Sequence, residues 1–274
     1  MNNFFKTVKQ APLKVKLSFL VLGIFILAAI LADLYPQNGI DTDILNALSR
    51  PSSEHLFGTD DLGRDYFARA LHGARASLTV GVLSVVISTF LGAVIGIASG
   101  YFGGKVDMII MRTIDILLSI PSFFLILILN AALKPGIQNI IIIIGLFSWM
   151  GIARLVRAET LTVRERDYVT YAKLIGVSDR KIMRKHILRN ILPTLTVAST
   201  INVANAILTE SSLSFLGLGV RQPNSSWGSM LKDAQQYLGT APYLALFPGL
   251  LILLTVLAFN VIGDYYRKEV IWKN

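Results

Sequence analysis

The sequence predicts an all-α integral membrane protein with six transmembrane helices. Three observations predict it. Hydrophobic residues make up 53% of the 274 and charged residues only 16%, where a soluble domain carries about a quarter charged residues. The charges are clustered, leaving uncharged runs at 17–32, 76–104, 116–133, 135–153, 190–209 and 234–263. Crossing the hydrocarbon core as a helix takes about 20 mostly apolar residues, so six runs read as six spans, the first the shortest. The runs are continuous and do not alternate in short segments, which excludes a membrane β-barrel.

Orientation follows from lysine and arginine, which accumulate in cytoplasmic loops. With the N-terminus inside, 19 of the 26 basic residues fall on inner segments and 7 on outer ones. This places both termini of a multi-pass membrane protein in the cytoplasm. The net charge of +9 is then accounted for by the inner face and calls for no nucleic acid. The first run has a basic flank, but it is longer than a signal-peptide core and has no clear cleavage site, so it reads as a retained helix. With no cysteine, disulfides and thiolate metal sites are excluded.

Residues 1–16 read as a cytoplasmic tail, 17–264 as a single six-helix domain and 265–274 as a second tail. Helix one is expected over about 15–34. An outer loop at 35–75 follows, with acids at Asp41, Asp43, Glu54, Asp60, Asp61 and Asp65. Helix two is expected at 76–100; its Gly92, Gly96 and Gly100 recur at spacing four, a pattern that lets helices approach closely in lipid. Helix three starts near Asp107. Arg112 and Asp115 share one of its faces and are expected to pair, and Pro121 removes a backbone donor and kinks it. Helix four is expected at 137–153. Helix five, at 192–217, carries Asn202, Asn205 and Glu210, weak candidates for a water-filled path because polar groups on a membrane helix usually face the protein interior. An outer loop at 218–242 leads to helix six.

The stretch between Trp149 and Pro193 is the most informative. Ten of the 26 lysines and arginines lie at 154–189, between two apolar runs. A compact, basic, helix-forming segment there offers a docking surface to a soluble partner. Val169, Ala172, Ile175 and Gly176 stand at helical spacing, as on an amphipathic helix laid into a partner's groove. Gly176 is expected to end that helix, and Ser178 or Asp179 to cap the next.

Sites of chemistry are missing from the sequence. His55, His72 and His186 are scattered, no paired-histidine metal spacing or G-x-S-x-G elbow occurs, and no phosphate-binding G-x-x-x-x-G-K-[ST] loop is present. The middles of helices one, two, four and six lack the ionisable groups that ion-coupled carriers use. A membrane enzyme is therefore remote, and a stand-alone channel or ion-coupled carrier is a lesser alternative. If the chain pumps, its energy comes from another protein.

The 154–193 segment resembles the cytoplasmic signature loop of binding-protein-dependent ABC importer permeases. Aligned on Gly176, Ala172 and Leu188 match that pattern, while Arg189 stands where proline is expected and Pro193 follows one turn later. Other motifs resemble one branch, the second permease subunit of dipeptide, oligopeptide and nickel importers: Phe57-Gly-Thr-Asp-Asp-Leu-Gly-Arg-Asp65, Ser214-Phe-Leu-Gly-Leu-Gly219 with Trp227-Gly228, and Ala258-Phe-Asn-Val-Ile-Gly-Asp264. The resemblance covers roughly residues 50–270.

The resemblance implies a type I, MetI-like permease fold with no catalysis of its own. It also implies a heterodimer with a homologous permease, two cytoplasmic ATPase subunits that use ATP and magnesium, and an extracytoplasmic substrate-binding protein. This chain would bind no cofactor. Cargo would be di- or oligopeptides, with nickel or a metal chelate as the alternative. Asp167, Tyr168, Tyr171, Ala172, Lys173, Gly176, Val177 and Ser178 would form the ATPase contact.

Overall fold

The computed structural model describes residues 11–133 and 136–273, with side chains as far as Glu269; Lys6, Lys9 and Lys134, counted in the charge asymmetry, lie outside them. Helix α1 is Leu13–Ile30, extended by a 3-10 turn at Leu31–Leu34. It is followed by α2 (Tyr66–Phe102), α3 (Gly104–Leu118), α4 (Ser122–Ala132) and α5 (Ile137–Arg164). Then come α6 (Asp167–Leu174), α7 (Asp179–Ile182), α8 (Leu188–Phe215), α9 (Trp227–Ala234) and α10 (Tyr243–Lys273). Among the described residues five helical stretches are long and apolar enough to cross a membrane, and six if α3 and α4, bent by 75°, count as one span.

Several helices outrun the apolar runs that marked them. α2 starts at Tyr66, ten residues before the expected point, because Asp65 caps it: its Oδ1 accepts from the Ala68 N–H at 2.7 Å. Arg69 and Arg75 end the uncharged run without ending the helix. α5 continues to Arg164 because Ile152, Ala153, Val156, Thr160 and Val163 stay buried at helical spacing. The first turns of the basic segment are thus the amphipathic end of a span. α7 likewise runs through a π turn at Met183–Ile187 straight into α8.

Helix α2 lies at the centre, packed against α1, α5, α8 and α9. Its seam with α5 is the closest. A Cβ on Gly92 would stand 2.7 Å from that of Ile152, and one on Gly96 would stand 2.6 Å from the Ala153 carbonyl oxygen. The repeated glycines serve this contact. Most of residues 140–144 are core: Ile140, Ile141, Ile143 and Ile144 are buried with Ile207, Leu213 and Trp227. A second apolar cluster lies at the basic end of the bundle, where Ile97, Tyr101, Ile152 and Val156 meet Val169, Ala172, Ile182 and Ile187.

Two expectations on the third span are corrected. Pro121 breaks the span instead of kinking it. Ser119 ends α3 and Pro121 caps α4, since proline has no N–H to continue the ladder and excludes the helical conformation from the residue before it. Arg112 and Asp115 do not pair. Asp115 reaches across to Arg154 on α5, and Arg112 is exposed. The carboxylate is held from the neighbouring helix, by Nη2 of Arg154, and not from its own.

Candidate functional site

The basic segment folds as a short helix held against the bundle. Val169 and Ala172 of α6 are buried in the second apolar cluster. Its other face is bare: Tyr171 is 67% exposed, Leu174 79% and Ile175 66%, with Tyr168 beside them. This corrects the expected docking face. Val169 and Ala172 point into this chain, and Tyr168, Tyr171, Leu174 and Ile175 are what a partner would meet.

Gly176 ends α6 with φ +80°. Its N–H donates to Lys173 O at 3.0 Å and the Val177 N–H donates to Ala172 O at 3.0 Å. This paired closure needs a left-handed residue at the glycine position. Ser178 precedes α7, but its side chain makes no capping bond; its backbone oxygen takes the Lys181 and Ile182 N–H groups instead. Asp179 is drawn away as well, accepting from the Tyr101 hydroxyl at 2.5 Å. Asp167 and Lys173 are exposed at the two ends of α6, an order that suits the helix dipole.

This end of the bundle is tied together by charge. Arg157 forks onto Asp107, with Nη2 to Oδ2 at 2.5 Å, and Ser99 donates to the same carboxylate at 2.5 Å. Arg164 donates to the carbonyls of Gly100 and Tyr101 at 3.1 and 3.3 Å. The arginine pairings are not visible in the sequence, where the partners lie 50 or more residues apart.

The candidates on α8 separate. Asn205 is exposed and Asn202 half-buried; at 100° per residue they stand about 60° apart. Glu210 is turned about 140° from Asn205 and is fully buried. It accepts from Ser214 at 2.6 Å and Ser77 at 3.1 Å. Ser77 in turn accepts the Trp227 N–H at 3.3 Å. Glu210 therefore fastens α2, α8 and α9 together. The open face of α8 near Asn205 also carries Thr209 and Ser212, whose hydroxyls donate to the carbonyl four residues earlier.

At the opposite end the outer-loop signature folds around Asp60, which accepts from the Leu62 and Arg64 N–H groups, both at 3.0 Å, and from Arg64 Nε at 2.7 Å. Arg69, only 2% exposed, lies 3.4 Å from Asp60 and 3.6 Å from Asp233. Burial pushes the Asp233 carboxyl above the ordinary aspartate value, with Arg69 pulling the other way. The nearby Asp61 raises the Tyr237 phenol. The sequence signalled this turn through its Asp-Asp-Leu-Gly order but not its link to Arg69 and Asp233.

Residues 92–271 match the family described as the binding-protein-dependent transport system inner membrane component. The dipeptide transport system permease protein DppC of Alkalihalophilus pseudofirmus is 40% identical over 96% of this chain and 86% of its own length. The oligopeptide transport system permease protein OppC of Bacillus subtilis is 39% identical over 90% of this chain and 82% of its own. The glutathione transport system permease protein GsiD of Pectobacterium atrosepticum is 40% identical over 84% and 76%. An all-helical membrane bundle, a helical segment presented between two spans, and these matches along nearly the whole chain place it in one family: the chain belongs to the inner-membrane components of binding-protein-dependent transport systems.

Proposed function

We propose that this chain is one of two permease subunits of an ATP-driven importer of di- or oligopeptides. α6 docks a cytoplasmic ATPase, and the open face of α8 lines part of the path. The observation that carries the reading is the bare side of α6. Tyr168, Tyr171, Leu174 and Ile175 form an apolar surface on a helix whose other side is fixed by Val169 and Ala172. An exposed apolar patch on a rigid support marks an interaction site, and a helix face of this size fits a partner's groove. The excess of basic residues at 154–189 supports a cytoplasmic location for this end.

In this reading ATP hydrolysis belongs to the partner, and this chain contributes a lever. Closure of two ATPases displaces α6 and rocks the membrane halves between inward and outward openings, a rigid-body switch. The side of α8 that carries Asn202, Asn205 and Ser212 suits a polar path completed by a second permease. The relatives named for dipeptides, oligopeptides and glutathione favour peptide cargo over nickel or a metal chelate.

The test is an affinity purification of the chain from mild detergent, with mass spectrometry of its companions. A second permease and one or two ATPases carrying nucleotide-binding loops are expected. A lone homo-oligomer would refute the reading and bring the stand-alone channel or carrier forward.

A further inference from the structure

The side chain that joins the docking segment to the longest helix lies outside that segment. Tyr101, one residue before the end of α2, is 5% exposed. Its hydroxyl donates to Asp179 Oδ1, at the first residue of α7, at 2.5 Å. Lys173 of α6 places its ammonium 4.6 Å from the Tyr101 ring centroid. Arg164, closing α5, holds the Gly100 and Tyr101 carbonyls. The end of α5, α6 and the start of α7 thus converge on one tyrosine and its peptide.

Besides these, α6 meets the bundle through the apolar Val169 and Ala172 and through the Tyr168 ring, 6.1 Å from that of His186. Apolar burial is non-directional and tolerates sliding. A hydrogen bond to a carboxylate has a fixed direction and is about twice as strong as a neutral one, so it transmits displacement. The whole of α2, 37 residues, runs without a proline, about 55 Å at 1.5 Å per residue. Its far end is equally committed: the Tyr66 hydroxyl donates to Leu244 O at 2.7 Å, and Arg69 faces Asp233 at 3.6 Å.

We propose that Tyr101 is the positioning residue that converts displacement of α6 and α7 into movement of α2, and so of the loops at the opposite end of the membrane. The proposal rests on the reading of α6 as the ATPase docking surface. Tyr101→Phe keeps the ring and its contact with Lys173 and removes only the hydroxyl. Asp179→Ala removes the acceptor, and Asp179→Asn keeps an acceptor oxygen.

The experiment is hydrogen–deuterium exchange, resolved by mass spectrometry, on the purified complex with and without ATP plus vanadate. In the wild type the nucleotide changes exchange at 167–182 and also at 58–68 and 226–244. In Tyr101→Phe and Asp179→Ala the change at 167–182 persists, while the change in rate at the far loops shrinks about tenfold, the scale of one hydrogen bond to a charged group. Asp179→Asn retains it. A full response at the far loops in Tyr101→Phe would overturn the proposal alone. Loss of the ATPase from the Tyr101→Phe complex would overturn it too, since the residue would then hold the docking surface and not relay its motion. A wild-type complex with no nucleotide response at 167–182 would refute the docking reading itself.

Discussion

Two glycine-to-alanine changes on facing helices should have opposite effects on stability. In Gly96→Ala the new Cβ would stand 2.6 Å from the Ala153 carbonyl oxygen and 2.8 Å from two Val156 atoms, where ordinary contact begins at 3.4 Å. Backbone cannot swing aside as a side chain can, so α2 and α5 must part by about 0.8 Å, the difference between 3.4 and 2.6 Å. Tilting does not relieve this, because Gly92 and Gly100 make contacts just as close one turn to either side. Overpacking of this kind costs about 1–3 kcal/mol, and in lipid close packing is itself a main source of helix association. Gly151→Ala, on α5, meets nothing within 4 Å. Both variants gain about 1 kcal/mol from the better helix former, so that gain cancels in the comparison. What remains is the overpacking term, with Gly96→Ala the weaker by about 1–3 kcal/mol. Thermal unfolding of the purified chain in mild detergent reads this as about 2–4 °C per kcal/mol. Equal midpoints for the two variants would refute the account of the α2–α5 seam.

Further outcomes follow from the same geometry. Tyr171→Asp and Gly176→Asp should each remove the ATPase from the purified complex while leaving membrane insertion intact, the first by charging the bare face of α6 and the second by straining the φ +80° closure as well; insertion is checked by membrane fractionation and docking by copurification. Arg69→Met leaves Asp60 sharing Arg64 and leaves Asp233 with no cation of its own, and should lower stability by about 3 kcal/mol, read as a lower unfolding midpoint. The raised Asp233 carboxyl binds a proton more readily folded than unfolded, so its contribution declines as pH rises from the ordinary aspartate range through its folded value. Wild type should therefore gain stability relative to Asp233→Asn as pH is lowered toward about 4, measured by unfolding midpoints across pH.

The sequence exposed the spans because a run of apolar residues is a local property, and it set the 154–189 segment apart because ten basic residues lie between two such runs. It placed Gly176 correctly, since a left-handed helix end has a short signature. It could not give the inner and outer sides of α6: Val169 and Tyr171 both suit a helix, and only the positions of Ile97 and Ile182 decide which one is covered. The extensions of α2 and α5 were hidden because charge ends a hydropathy run without ending a helix. Tyr101 stayed unseen for the same reason as Arg157 with Asp107. Such pairings are fixed by where helices cross, and the partners lie 78 and 50 residues apart.

The break at Pro121 has a consequence for how the chain enters the membrane. α4 has 11 residues, about 16 Å of helix, against a hydrocarbon core of about 30 Å. As it leaves the ribosome it cannot cross the bilayer alone, and the unpaired backbone groups at its start are costly in lipid. What holds it is made later: Ile126 packs with Ile140 and Ile144 of α5, and buried Asn130 donates to the Leu218 carbonyl just past α8. The seat of α4 is therefore built from residues that follow it in the chain, on α5 and just past α8.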